Sequence, residues 1–495
     1  MTMRRREFLS ALLPASAPEP FARLLSGTPI RVQAGLEPYV PSPQLPWDER
    51  SAGHLLRRAG FQCTPEEVQW ALEQSPQQVV DALLQELPLP ELPSWSTQEP
   101  SRQDDPTLYR QRTAELQQWW IGLMVETERS AREKMVFFWH NHFTSDYDKV
   151  RVPQYLAIQN QLFRRMVWGN IRQLAREIVS DPAMLIYLDN NENRAGAPNE
   201  NFARELLELF TLGVGNYTEW DVVAATRALT GWRVIGLRSV FVRERFDDGI
   251  KTLLGQTGRW GTDDTIRIIF EQPACAEFLA RKLYRFFVYA VPDERIVAQL
   301  AELLRQHNFE LRPVLRVLLS SAHFFAPEFY GAQIKSPLDL VVGLLRQLGI
   351  RSPEMYAYAV RAAAALELEL FNPPTVEGWK GHHLWLTTMT LPLRQRIAEM
   401  LIEGRSWNGT RLPVSFDPIA FARKFPGHNS AREFVAQVVR FLLAYPITAE
   451  QQEALLQELL QGAPEYEWNL NAPNADARIR LLLKAIVRMP EFQLT

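Results

Sequence analysis

Asn199-Glu200-Asn201-Phe202-Ala203-Arg204-Glu205-Leu206-Leu207-Glu208-Leu209-Phe210 decides the fold class. At about 100° per residue, Asn201, Arg204, Glu205 and Glu208 share one arc of roughly 100°, and apolar side chains fill the broad remainder. A helix with so narrow a polar edge has to be surrounded by other helices. The same 3.6-residue period recurs on both sides of it. Thr64-Pro65-Glu66-Glu67 sets a hydroxyl at an N-cap, Pro at the first helical position and Glu at N3, and Val68 to Leu84 continues at helical spacing. Ser130-Ala131-Arg132-Glu133 reads as another capping box, opening a helix from Met135 to Phe143. A long helix runs through Trp119-Trp120, and more are predicted at 153–168, 171–180, 200–212, 219–230, from 263 to about 403, and at 481–489. The period changes at Trp232 to Phe246, where Val, Ile, Phe and Arg nearly alternate between glycines; this predicts a β-hairpin. Gly249 to Gly261 reads as a glycine-spaced loop. The fold class is mainly α, a large multi-helix body with one small β-hairpin excursion.

The 495 residues are 46% hydrophobic and 22% charged, a globular composition that excludes bulk disorder. The formal charge of −3 carries no nucleic-acid footprint, and no apolar run is long enough to be a transmembrane segment. Two cysteines, Cys63 and Cys275, exclude a disulfide framework and a four-thiolate zinc site. Only eight of the 54 basic residues are lysine, so each lysine is a candidate for a place where an ammonium is needed. Arg5-Arg6-Glu7-Phe8-Leu9 matches a twin-arginine export signal, although Pro14 cuts the apolar segment behind it short. The expected location is exported, periplasmic or at the cell surface, with the cytoplasm as the alternative. Residues 1–47 read as a leader and Pro-rich strap, 48–403 as the helical core, and 404–495 as a C-terminal helical segment packed on it.

Several segments could carry chemistry. In Phe138-Trp139-His140-Asn141-His142-Phe143 two histidines invite a metal or catalytic reading. On a helix, however, i and i+2 lie about 200° apart and cannot both reach one ion. His140 also falls on the apolar stripe of Val136, Trp139 and Phe143, which suits a hydrogen-bonded core histidine. On the polar edge of the Asn199 helix, Glu205 and Glu208 could bridge a cation or transfer protons, with Arg204 holding their charge; the alternative is an edge that simply meets water. Asp189, Asn191, Asn193 and Glu200 stand at positions 1, 3, 5 and 12 of a calcium-type loop, so a divalent cation such as calcium is the candidate cofactor. The required Gly at position 6 is Arg194, and an Asn-rich capping loop is the competing reading. Lys251, in an acidic glycine-bearing turn after Asp247-Asp248, could meet an anion. Lys335-Ser336-Pro337-Leu338-Asp339 is a helix start. Trp379, His382, His383 and Trp385 lie on a loop fixed by Gly and Pro and could form a sugar-stacking or partner-binding patch, or plug the core. No nucleophile elbow, zincin helix, Walker loop or dinucleotide fingerprint is present.

Together these blocks resemble the bacterial "domain of unknown function 1800" family. The resemblance is carried by His54-Leu-Leu-Arg-Arg-Ala-Gly-Phe61, Phe138-Trp-His-Asn-His-Phe143, Leu188-Asp189, Pro198-Asn-Glu-Asn-Phe-Ala-Arg-Glu-Leu-Leu-Glu-Leu-Phe-Thr-Leu-Gly213, Tyr217-Thr-Glu219, Arg227-Ala-Leu-Thr-Gly-Trp232, Lys335-Ser-Pro337, Asn372-Pro-Pro374 and Gly378-Trp379. It runs from about residue 50 to the C-terminus. The resemblance implies an exported protein without an established activity. It also implies a partner from a second exported family, "domain of unknown function 1501", similar to alkaline phosphatases and sulfatases. The family usually has His-Asp where this chain has Phe246-Asp247. Three functions follow as expectations: an accessory or binding protein of such a partner, a metal-assisted hydrolase or transferase acting on surface glycans or proteins through Glu205, Glu208 and a histidine, and a carbohydrate-binding protein built on Trp379 and Trp385. If Glu205 is buried and paired, its replacement by Ala should cost about 3–5 kcal/mol; if it faces water, about 0.5 kcal/mol or less.

Overall fold

The computed structural model describes residues 27–100, 105–406 and 408–495; the twin-arginine segment lies outside them. Among the described residues helices make up 57%, against two small two-stranded antiparallel sheets, so the mainly α class holds. No helix among the described residues is long and apolar enough to cross a membrane.

Local chemistry explains most boundaries. Thr64 accepts from the Glu67 N–H at 3.2 Å while Glu67 accepts from the Thr64 N–H at 2.9 Å, which closes the expected capping box. The helical spacing seen from Val68 to Leu84 is two helices, Pro65–Leu72 and Pro76–Leu83, because Ser75-Pro76 caps and starts the second. The box expected at Ser130 does not form. Ser130 accepts from the Arg132 N–H at 3.1 Å, the N-cap is Ala131 without a side-chain bond, and the helix is Arg132–His142.

Glu133 points inward instead. We label Pro106–Glu126 α1, Arg132–His142 α2 and Pro153–Arg165 α3. The Glu133 carboxylate accepts from Arg164 of α3 at 2.7 and 3.0 Å, from Arg132 at 3.1 Å, and from the Trp120 indole N–H of α1 at 3.0 Å. The Arg164 side chain is 0% exposed and that of Glu133 3%. One buried carboxylate therefore ties three helices.

The β excursion is two hairpins, not one. β1 (Trp232–Ile235) pairs with β2 (Arg238–Phe241) in the register Trp232 to Phe241, turning at Gly236 with φ +59. Residues 243–245 form a 3-10 turn, so the predicted strand ends early. The expected loop from Gly249 to Gly261 contains β3 (Lys251–Leu253) and β4 (Gln256–Gly258). They turn through Leu254 and Gly255 at φ +49 and +83, the two positive φ values of a type I′ turn.

The strap and the chain end are both tied to the body. Tyr39, 1% exposed, stacks on Phe325 at 4.3 Å, and the 35–39 backbone bonds to residues 320–323. Thr495 exchanges backbone hydrogen bonds with Gln333, and the Lys335 N–H donates to Gln493.

Replacing Glu133 by Ala strands Arg164 without a carboxylate in a dry interior. Urea unfolding should show a loss of about 3–5 kcal/mol, whereas breaking the exposed Arg312–Glu86 pair should cost about 1 kcal/mol or less. Equal, small losses for the two would contradict the hub.

Candidate functional site

The C-terminal turns of α2 form one wall of a cleft of about 510 Å³. A second wall is the helix Pro273–Phe287, here α4. A third is the start of Pro337–Leu348, here α5, and the loop from Glu377 to Trp385 covers the remaining side. The loop is held by α2. The Asn141 side chain accepts from the Trp379 N–H at 2.7 Å and donates to the Trp379 carbonyl at 3.4 Å. Thr144 donates to the Val376 carbonyl at 2.6 Å. Gly378 is required between them: its φ is +81, and a Cβ there would sit 2.3 Å from Asn141 Oδ1 and 2.5 Å from the Asn141 carbonyl.

Of the candidates named from sequence, His142, Trp379, His382, His383 and Trp385 all line this cleft. The His142 Nε2 lies 3.0 Å from the Phe210 carbonyl, so that nitrogen carries the proton and donates. Its Nδ1 is a buried acceptor with no partner among the described residues. Burial and then Lys282 hold the imidazole well below the ordinary range, so it is neutral. Burial, with Arg285 next, pushes His382 down to about 3, while His383 is exposed. Trp379 and Trp385 are only 5% and 8% exposed, and Trp379 stacks on Phe137 at 5.8 Å. A sugar-stacking platform needs an open indole face, and both indoles are packed into the core.

His140 is elsewhere. It is fully buried among Trp120, Phe371 and Trp379, with ring centroids 5.0–5.8 Å away. Neither ring nitrogen has a partner among the described residues, which corrects the hydrogen-bonded reading, and burial lowers its pKa to about 3. Lys251 is also removed from the cleft. Its ammonium donates to the carbonyls of Asp247 at 2.5 Å and Gly249 at 3.0 Å and lies 5.0 Å from the Phe246 ring centroid. It ties the turn before β3 together. Phe246 supplies the aromatic face beneath it.

The polar edge of the Asn199 helix is rearranged. Asn201–Glu205 is α-helical, but Leu206–Thr211 is π-helical, and the Leu212 N–H reaches the Leu207 carbonyl at 2.9 Å. The wider turn breaks the 100° spacing. Arg204 does not hold Glu205 and Glu208; it grips Glu219 with two bonds of 2.8 Å and reaches Glu200 at 3.3 Å. Glu208 accepts from the Tyr217 hydroxyl at 2.5 Å. Glu205 has no hydrogen-bond partner among the described residues, and burial, then Glu208, raises its pKa.

The calcium-type loop has its oxygens committed. Asp189 accepts from Lys149 at 2.8 Å and from Asn201 at 3.3 Å. Asn191 accepts from the Val234 N–H at 2.8 Å, docking the loop on β1, and Asn193 accepts from the Asn199 N–H at 3.1 Å. Glu200 faces Arg204. Among the described residues no three His, Cys, Asp or Glu side chains are grouped so as to hold an ion. The loop acts here as a web of Asn bonds.

Sequence reasoning missed four cleft residues. Lys134 and Asp339 form a buried pair at 2.5 Å, with Asp339 also accepting from the Ser336 hydroxyl at 2.8 Å in the expected helix cap. Lys282 and Arg285 stand on α4 without a carboxylate partner within ion-pair distance among the described residues. Burial, then Arg285, lowers Lys282 to about 8, so it is mostly charged at neutral pH. The one available signal was lysine scarcity: Lys134, Lys282 and Lys380 all line the cleft.

The family model described as "Protein of unknown function (DUF1800)" matches residues 54–494, and the chain belongs to that family. No curated protein and no solved structure matches it.

Glu205 allows a test with a definite sign. Its raised pKa means that the folded state holds the proton more tightly than the unfolded chain does. Ionisation therefore costs stability as pH rises above the ordinary value of 4.5. Glu205→Gln should melt higher than wild type at pH 7, with the advantage gone well below pH 4.5. A loss at pH 7 would mean that the carboxylate has a cationic partner. Because Arg204 is engaged elsewhere, the large penalty foreseen for Glu205→Ala from a stranded cation is not expected.

Proposed function

We propose that this chain is an exported accessory protein that holds an organic ligand in the cleft between α2, α4, α5 and the 377–385 loop. In this reading it works beside a phosphatase- or sulfatase-like partner of the "domain of unknown function 1501" family. The observation that carries the reading is the lock between Asn141 and the Trp379 backbone, which sets the loop in place before any ligand arrives. A preformed concavity in which aromatic walls meet convergent polar groups, as here, is a common form of an organic-ligand site. The partner and the export rest on the family resemblance and on Arg5-Arg6.

The alternative, a metal-assisted hydrolase or transferase, draws on Glu205, Glu208 and His142. Glu205 also feels the charge of Glu377 on the cleft lining. The carbohydrate reading is weaker, because both indoles are buried.

Co-elution of the purified chain with a protein of that partner family from the same genome tests the proposal. Wild type should co-elute. Asn141→Ala, which releases the loop, should co-elute less while keeping its far-ultraviolet circular dichroism. Failure of the wild type to co-elute overturns the accessory role, and one equivalent of tightly bound metal in the purified protein would favour the hydrolase.

A further inference from the structure

The charges around the cleft do not balance. Both acidic residues on its lining are engaged: Asp339 by Lys134 and Ser336, and Glu377 by Lys380 at 2.7 Å. Lys282 and Arg285 are three residues apart on α4, so they project from one face, and both line the cleft. The Lys282 ammonium lies 5.3 Å from the Phe278 ring centroid, held to the wall by an aromatic face rather than by an anion.

We propose that the cleft binds an organic phosphate monoester, with the phosphate at Lys282 and Arg285 and an apolar body along the aromatic wall. This inference rests on the reading of the cleft as a ligand site, but not on the partner protein. Three observations select the class. Two cations without an ion-paired carboxylate among the described residues, the acid that Lys282 feels being Glu377, already paired with Lys380, suit a group that carries between one and two negative charges near neutral pH, as a phosphate monoester does. The second is His142 on the cleft lining, 4% exposed, whose Nδ1 is a buried acceptor without a partner among the described residues. A monoester phosphate carries a proton-bearing oxygen part of the time, since its second pKa is about 6; a sulfate ester or carboxylate at that pH offers no such donor. The third is size and lining. The cleft of about 510 Å³ exceeds what an inorganic ion fills, and Phe137, Phe138, Phe278 and Phe286 offer hydrocarbon contact.

Isothermal titration calorimetry at pH 6.5 on the full chain tests the proposal with octyl phosphate, octyl sulfate, octanol, octyltrimethylammonium and inorganic phosphate. All alkyl probes are kept below their micellar concentrations. Octyl phosphate should bind at least about tenfold more tightly than octanol, octyltrimethylammonium or inorganic phosphate, and about threefold or more above octyl sulfate. Lys282→Met and Arg285→Gln should each weaken octyl phosphate about tenfold and leave octanol unchanged. Arg285 is exposed, so its variant carries the test if Lys282→Met fails to fold. Equal affinity for octyl phosphate and octanol removes the cationic subsite. Inorganic phosphate binding as well as octyl phosphate removes the apolar body, and octyl sulfate binding as well as octyl phosphate removes the phosphate class. Sedimentation with phosphatidic acid vesicles without any binding of free octyl phosphate also overturns the proposal, because a membrane surface is then what the cations meet. Co-elution with the partner is a separate measurement, so either idea can fail alone.

Discussion

The Glu133 carboxylate sets the position of α2, and α2 sets the position of almost everything that could be functional. A carboxylate taken out of water costs several kcal/mol unless its lone pairs are filled. Here Arg164, Arg132 and the Trp120 indole fill them, and Trp119 covers the guanidinium of Arg164 at 5.0 Å. The geometry is satisfied in one arrangement of α1, α2 and α3. Sliding α2 by a residue would rotate Glu133 by about 100° and leave Arg164 unpaired. With the register fixed, Lys134, Phe138, Asn141 and His142 necessarily face the cleft while His140 faces the aromatic core.

Arginine does the same work at other joints. Arg346 pairs with Glu67 at 2.7 and 2.9 Å, and its other nitrogen donates to the carbonyls of Val125 and Thr127 at the end of α1. Those carbonyls belong to the set that a helix end leaves without partners. Arg57 donates to the carbonyls of Arg440 and Phe441, Arg58 to those of Val288 and Phe329, and Arg394 to that of Lys335. A guanidinium has five donors in a planar fork and remains charged when buried, so it can close a helix end and bridge to a distant segment together. Apart from that of Arg394, which spans 59 positions, these contacts join residues more than two hundred positions apart, and they explain part of the preference for arginine over lysine.

What could be read in the chain followed the range of the physics. Caps at Thr64 and Ser336 were legible because donor and acceptor lie within three residues. The box at Ser130 had the same letters and failed, because Glu133 is drawn to Arg164, 31 residues away. The second hairpin was missed because its turn is Leu254-Gly255 rather than Asn-Gly, and its strands are three residues long. The cleft was half visible. The histidines and tryptophans stood out as unusual letters. Lys282 and Arg285 looked like any helix surface, since their importance comes from acids that are absent from their side, a fact that only the packing of α4 on α2 creates. The loop from Asp189 to Glu200 misled in the opposite direction: its spacing resembles a cation loop, yet its amides serve the backbone of β1 and of Asn199.

The π turn at Leu206–Thr211 connects the polar edge to the cleft. An extra residue in a helical turn costs backbone regularity, so such turns persist where they place something useful. Here the turn brings the Phe210 carbonyl to the proton of His142 Nε2, which fixes the tautomer and leaves Nδ1 as the acceptor. It also places Leu209 on the cleft lining and turns Glu208 to Tyr217, away from any partnership with Arg204. The specific Asn199–Gly213 block thus acts one step behind the cleft. Its irregular backbone sets the tautomer of His142 on the cleft wall.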